Sequence, residues 1–218
     1  MDIWYNLAKS IVGCYNTLFL RIHVSGAEHI PPGQKIIVGN HPNASDGFAL
    51  PFIFREKLIY AIQADVFQVP FIGKILSRAG QIPVQKGNGM EMLQTARRCI
   101  ERGLSVVIFP EGRLNFGGDL KHGNLGAALL AEQTGAPVLP IGFYTSPKFI
   151  RVIHRHMHNR ETVGGWQMGG CIYVNIGQPL HLPQKRQDQL RCSMLRDFTD
   201  QMMDTISQLM NEIKTGAA

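Results

Sequence analysis

The sequence predicts an α/β fold: a single domain with a mostly parallel central sheet flanked by helices, an amphipathic helix at its N-terminal end and a long helix at its C-terminal end. Three observations carry this. Short β-branched runs recur along the chain, helical patterns lie between several of them, and no stretch rich in Pro, Gly or Ser divides the 218 residues. Strands alternating with helices belong to a parallel sheet covered on its faces. A chain of this length is long for one domain, short for two, and buries a real core.

Taken in order, residues 3–22 are apolar but carry Asn6, Lys9, Ser10, Asn16, Thr17 and Arg21. That is too polar for a spanning helix, which needs about 20 predominantly apolar residues. Trp4, Leu7, Ile11, Cys14, Leu18 and Leu20 recur mostly at three- and four-residue steps, as in an interfacial helix or one packed on its own domain. We assign 1–18 to this membrane-associating helix and 19–218 to the main domain. Strands are expected at FLRIHV (19–24), KIIVGN (35–40), LIYAIQ (58–63), LSVVIFP (104–110), PVLPIGFY (137–144) and CIYVNIG (171–177). Met92, Ala96 and Cys99 mark a helix over 89–102. Another covers 123–134, where Gly135 and Pro137 supply the stop signal. From Leu190 through Met194, Phe198, Met202, Ile206 and Leu209 to Ile213 runs a continuous apolar stripe, a docked helix over about 187–214. Residues 145–170 are the least regular part.

A hydrophobic fraction of 44% and a charged fraction of 17% exclude a disordered chain. The net charge of +6 favours anionic partners, but the cations are dispersed and lack aromatic interleaving, so no nucleic acid is expected. Cys14, Cys99, Cys171 and Cys192 are too far apart for a disulfide framework or a zinc ribbon and read as reduced thiols. An acidic second residue and the lack of a small-residue cleavage site argue against a secretory leader. His154, His156 and His158 alternate as on one strand face and could ligate zinc. No Cys or carboxylate of matching spacing joins them. With Lys148, Arg151, Arg155 and Arg160 nearby, a basic patch facing substrate or membrane is preferred.

Two strand ends are unusually polar: NHPNASD after the 35–40 strand and FPEGRLN after the 104–110 strand. Ligands of open α/β sheets gather where strands end. Each turn alone is ordinary. Together they resemble the glycerolipid acyltransferase family, the lysophosphatidic acid and glycerol-3-phosphate acyltransferases. Asn40, His41 and Asp46 match its N-H-x-x-x-x-D block, and Phe109, Pro110, Glu111 and Gly112 match its F-P-E-G block. Ala136 to Pro140 match an apolar-proline block, and Ile176, Gly177, Gln178 and Pro179 the closing I-G-x-P. The resemblance spans about residues 15–182 and implies a glycerol-3-phosphate acyltransferase-like fold. Two departures stand out. The usual E-G-[ST]-R reads Glu111-Gly112-Arg113-Leu114, so the arginine comes one position early. Where an arginine usually follows an Ile-Pro-Val strand, Lys86 is the nearest cation, with Arg78 a weaker stand-in. Lysine neutralises a phosphate without gripping it bidentately.

The resemblance implies an O-acyltransferase that moves a fatty acyl group from acyl-CoA or acyl carrier protein to a glycerol phosphate hydroxyl, lysophosphatidic acid first among acceptors. His41 would be the general base. Imidazoles titrate near physiological pH, and Asp46 would fix the tautomer and stabilise the imidazolium. Ser45, inside the motif, reads as a turn or capping residue. Asn40, Lys86, Glu111, Gly112 and Arg113 are the expected substrate contacts. Glu111 would hold a glycerol hydroxyl or order the cations around it, or else pair with Arg113. Lys86 to Gly89 precede a helix whose N-terminus would favour phosphate, and Lys121 and His122 add positive field or a solvated surface. No cofactor or metal is expected. The implied partners are an anionic membrane surface, a lysophospholipid or glycerol phosphate acceptor, and CoA or acyl carrier protein; the expected place is the cytoplasmic face of a membrane. Another acceptor, such as another lysolipid, glycerol-3-phosphate or a lipidated amino acid, and a non-catalytic lipid-binding relative are the alternatives.

Overall fold

The computed structural model describes residues 2–85, 87–157, 160–183 and 190–216, with the backbone alone for 155–157 and 160–162. In chain order the elements are α1 (Ile3–Phe19), β1 (Arg21–Ser25), β2 (Ile36–Gly39), α2 (Asp46–Ile53), β3 (Leu58–Gln63), α3 (Ile72–Arg78), β4 (Ile82–Val84), α4 (Gly89–Glu101), β5 (Ser105–Ile108), α5 (Gly126–Thr134), β6 (Val138–Tyr144), β7 (Ile150–Met157), β8 (Arg160–Gln167), β9 (Cys171–Ile176) and α6 (Arg191–Thr215).

Among the described residues a seven-stranded sheet runs in the order β1-β9-β6-β2-β5-β3-β4. The five strands from β6 to β4 are parallel. β9 lies antiparallel on β6 and carries β1 parallel to itself. The central strands β2 and β5 are buried at every position, as expected for strands covered on both faces. On one face Ile37, Val107 and Leu139 pack with Ala49, Leu50 and Phe54 of the α2 region. On the other, Ile36, Val38, Val106 and Ile108 pack with Leu93 of α4, Leu130 of α5 and Phe198 of α6. The expected alternation of strands and helices is thus the observed one, and the long C-terminal helix docks over β6 and β9.

This arrangement creates a crevice at one place. β2 and β5 are neighbours, but β2 leads into α2 on one face while β5 leads towards α5 on the other. Chain exits that diverge to opposite faces open the cleft in which α/β proteins bind ligands. The last paired residues of the two strands are Val38 and Ile108. His41 follows the first by three positions (41 − 38) and Glu111 follows the second by three (111 − 108), so the two motif turns emerge side by side.

Three elements depart from the sequence expectation. The polar turn NHPNASD is a loop only as far as Ser45, and a helix not expected from the sequence starts at Asp46 and runs to Ile53. Pro51 hides it in the sequence, because proline lacks the N–H that would bond the carbonyl of Gly47. That carbonyl accepts the buried Tyr60 hydroxyl instead, at 2.8 Å. α3 is likewise a short helix that no periodic run announces. Within the stretch 145–170, expected to be irregular, Ile150–Met157 and Arg160–Gln167 form the antiparallel pair β7–β8. Its alternation is masked in the sequence because histidine and arginine occupy the expected apolar positions.

α1 packs on α2 and α3, and Asp2 caps it by accepting the Tyr5 N–H at 3.1 Å. Among the described residues no helix is long and apolar enough to cross a membrane. The four cysteines are free.

Candidate active site

The first turn is organised around a carboxylate. Asp46 is fully buried at the start of α2. Its Oδ2 accepts the Asn43 backbone N–H at 2.7 Å, and its Oδ1 accepts the Asn43 side-chain amide at 2.8 Å. Asn43 is held in turn by the Ser45 N–H, which donates to its Oδ1 at 2.8 Å. The carboxylate so fixed lies 3.3 Å from His41 Nδ1. An ionised carboxylate only accepts, so Nδ1 carries the proton and Nε2 keeps its lone pair. The contact is slack for a neutral imidazole and shortens when the ring becomes cationic. Burial pushes the Asp46 carboxyl above its ordinary value. The hydrogen bond and charge of His41 and the N–H of Asn43 pull it back, and the nearby Glu111 adds to the upward push.

The imidazole plane is set by Phe109, the last residue before the second turn. The rings stack at 3.8 Å between centroids and 8° between planes. His41 is one-fifth exposed and Asp46 not at all, so the ring reaches solvent while its partner does not. Nε2 has no hydrogen-bond partner among the described residues.

Glu111 ties the two turns together. Its carboxylate accepts the backbone N–H of His41 at 2.9 Å, the Asn115 amide at 2.9 and 3.1 Å, and the Lys121 backbone N–H at 3.1 Å. Asn115 adds a second stitch, its N–H donating to the His41 carbonyl at 2.9 Å. Glu111 is 5% exposed, and its oxygens are occupied by these donors. Neither an ion pair with Arg113 nor a free face for a hydroxyl is what the geometry gives it. Gly112 closes the turn with φ of 65°, a conformation costly for any side chain, and its N–H bonds the Phe109 carbonyl at 3.0 Å. Arg113 stands exposed next to it, with no hydrogen-bond or ion-pair partner among the described residues.

Asn40 is fully buried. Its amide donates to the Phe143 carbonyl at 2.8 Å and accepts the Phe143 N–H at 2.7 Å. It clamps the end of β2 to β6 and places His41 through the backbone, with both polar atoms occupied. Lys86 lies outside the described residues. Lys121 is half-buried, and its Nζ donates to the Leu114 carbonyl at 3.2 Å. Ser45 stands at the N-cap position of α2 but makes no capping bond with its side chain; its hydroxyl faces Tyr15 instead.

The structure therefore brings His41, Asp46 and Glu111 together, leaves Gly112 and Arg113 on the rim, and seals Asn40 beneath. Sequence reasoning missed the positions of Asn43, Asn115, Tyr15 and Gln167. Asn43 had a local signal, since a turn of Asn, Ala and Ser before an aspartate invites side-chain bonds to the backbone. Among the described residues no group of three His, Cys, Asp or Glu could hold a metal. The histidine run bears on this only through His154, because His158 and the side chain of His156 lie outside the described residues.

A buried carboxylate, an imidazole it orients and an open Nε2 can take a proton from an attacking alcohol. Comparison with known proteins agrees with that chemistry. The family model described as Acyltransferase matches residues 21–144, from β1 through β6 and across both turns. The 1-acyl-sn-glycerol-3-phosphate acyltransferase of Borreliella burgdorferi is 29% identical over 194 residues, 86% of this chain and 73% of that protein. The one from Haemophilus influenzae is 28% identical over 199 residues, 87% and 78% of the two chains. The crystal structure of the 1-acyl-sn-glycerophosphate (LPA) acyltransferase PlsC from Thermotoga maritima superposes with a TM-score of 0.71. It covers 96% of this chain and 79% of its own at 19% identity, which speaks to the fold. With more than half of its residues matched and both motif turns inside the match, the chain belongs to the acyltransferase family.

Proposed function

We propose that the protein transfers a fatty acyl group from acyl-CoA or an acyl carrier protein to the free hydroxyl of 1-acyl-sn-glycerol-3-phosphate, forming phosphatidic acid. The observation that carries this reading is the His41–Asp46 pair, set at the mouth of the β2–β5 crevice with its open nitrogen towards solvent. The names of the relatives supply the acceptor. As the hydroxyl oxygen attacks the thioester carbonyl, its proton passes to His41 Nε2 and Asp46 stabilises the imidazolium. The tetrahedral oxyanion then collapses, the C–S bond breaks, and the leaving thiolate takes the proton back. No acyl-enzyme forms. Arg113, exposed beside the second turn, is assigned to the acceptor phosphate; the sequence resemblance adds Lys86, which lies outside the described residues.

A bilayer supplies such an acceptor, and the outward face of α1 suits one. Ile3, Leu7, Ile11, Cys14 and Leu18 are exposed along one stripe that carries no charge. The opposite face packs on the domain, with Arg78 lying over the Trp4 ring. An uncharged apolar stripe is what an interfacial helix presents to lipid.

The test is a panel of acceptors. Purified protein is given palmitoyl-CoA with lysophosphatidic acid, other lysophospholipids, glycerol-3-phosphate or a lipidated amino acid, and products are read by mass spectrometry. Phosphatidic acid as the dominant product is expected. A different dominant acceptor would transfer the displaced Arg113 to another specificity, and no turnover with any acceptor would overturn the enzymatic reading.

A further inference from the structure

Ser45, next to the catalytic carboxylate and fully buried, is held by two residues that lie outside the family match of 21–144. Its hydroxyl is 3.0 Å from the Tyr15 hydroxyl on α1, and it accepts the Gln167 backbone N–H at 3.3 Å from the end of β8. The Tyr15 hydroxyl also donates to the Gln167 carbonyl. Counting protons orients the cluster. A carbonyl only accepts, so the single proton of Tyr15 points to Gln167. The remaining contact is then filled by the Ser45 proton, directed at the Tyr15 oxygen. The result is a closed ring: Gln167 N–H to Ser45, Ser45 to Tyr15, Tyr15 to the Gln167 carbonyl. Each bond polarises the next in the same sense. Burial raises the Tyr15 phenol above its ordinary value, and the charge of Asp46 raises it further against the Ser45 bond, so the ring keeps its protons.

The ring is coupled to the site in both directions. The N–H of Ser45 holds Asn43, and Asn43 grips both oxygens of Asp46. On the outer side, the Ala44 N–H donates to the Gly165 carbonyl at 2.7 Å, and Asn16, next to Tyr15, donates to the Phe48 carbonyl of α2 at 2.8 Å. α1 and the hairpin edge thus close on the turn that aims Asp46. We infer that Tyr15 is a positioning residue for the acyl-transfer site: its hydroxyl, acting through Ser45, fixes the turn that holds Asp46 against His41. The helix proposed to lie on the bilayer is thereby bonded to the catalytic turn. The kinetic consequence rests on the acyl-transfer reading; the geometric one does not.

Tyr15→Phe removes the hydroxyl and keeps the ring contacts with Phe19 and Phe48. Tyr5→Phe is the control, because it removes another α1 hydroxyl bond, to the Leu58 N–H at 3.1 Å, away from the turn. Tyr15→Phe is expected to lower kcat about tenfold with KM for the acyl thioester unchanged, and Tyr5→Phe to leave kcat as it is. Ser45→Ala is expected to match Tyr15→Phe, and the double variant to be no worse than either, as for residues acting as a unit. Independently of any substrate, the downfield proton resonance of the His41 Nδ1–H should be present in the wild type and Tyr5→Phe and broadened or lost in Tyr15→Phe. If the wild type turns over no acceptor, that resonance decides the inference alone, and the failure falls on the acyl-transfer reading. No such resonance in the wild type, an unchanged one in Tyr15→Phe, or equal effects of the two tyrosine variants would overturn the inference.

Discussion

Glu111 belongs to the sequence block that most marks this family, yet its carboxylate faces inward, to the backbone of His41, the amide of Asn115 and the backbone of Lys121. A carboxylate suits this place because every neighbour is a donor. Glu111→Gln puts an NH2 group against N–H donors and leaves a buried group unsatisfied, at a cost of about 1–3 kcal/mol. For a domain of this size that lowers the melting temperature by roughly 2–12 °C. The displaced His41 backbone should lower kcat by about 10²-fold. Thermal melting and steady-state kinetics on one preparation check both. Lost activity with an unchanged melting temperature would mean that Glu111 acts on the substrate instead. His41 and Asp46 were legible as a candidate pair only when the two motif turns were read together, because a histidine and an aspartate five positions apart in one turn are ordinary by themselves. Asn40 and Glu111 were legible as motif members but not as anchors, since a motif records identity and not whether a side chain faces substrate or backbone.

α1 shows what periodicity can and cannot say about an element. Its three- and four-residue steps marked a helix, and Ile3–Phe19 is one. The apolar positions read from sequence nevertheless divide between faces, Trp4 lying inward under Arg78 while Leu7, Ile11 and Leu18 lie outward. Which stripe is packed depends on partners distant in the chain, so it could not be read locally. The outward stripe carries a prediction. Leu7→Glu with Ile11→Glu should weaken binding to anionic phospholipid vesicles by at least about tenfold, since burying each apolar side chain is worth about 1.5–3 kcal/mol. The melting temperature should stay within a few degrees, because both side chains are exposed. Vesicle flotation reads the first outcome, and unaltered flotation would remove α1 as the membrane seat. α2 and the hairpin were missed for opposite reasons: Pro51 interrupts a helix whose orphan carbonyl Tyr60 satisfies from another strand, and basic residues fill strand positions where apolar ones were sought.

For the whole molecule, the order of strands does most to make a site. Apolar runs at 36–39, 105–108 and 138–144 were readable because strands buried on both faces are near-continuously apolar. That β5 inserts between β2 and β3, bringing the two motif turns together, is a matter of topology that no local pattern holds. The same is true of Tyr15 and Gln167, which reach the turn that holds Asp46 from positions 30 residues before and 122 residues after Ser45. The central claim is that His41, oriented by Asp46, takes the acceptor proton during acyl transfer. It is tested most directly by comparing wild type with His41→Ala in a continuous assay of thiol release from palmitoyl-CoA with lysophosphatidic acid. We predict a fall in kcat of about 10²–10⁴-fold with KM for the thioester and the melting curve essentially unchanged. Turnover by His41→Ala within about tenfold of the wild type, less than removal of a general base costs, would contradict it.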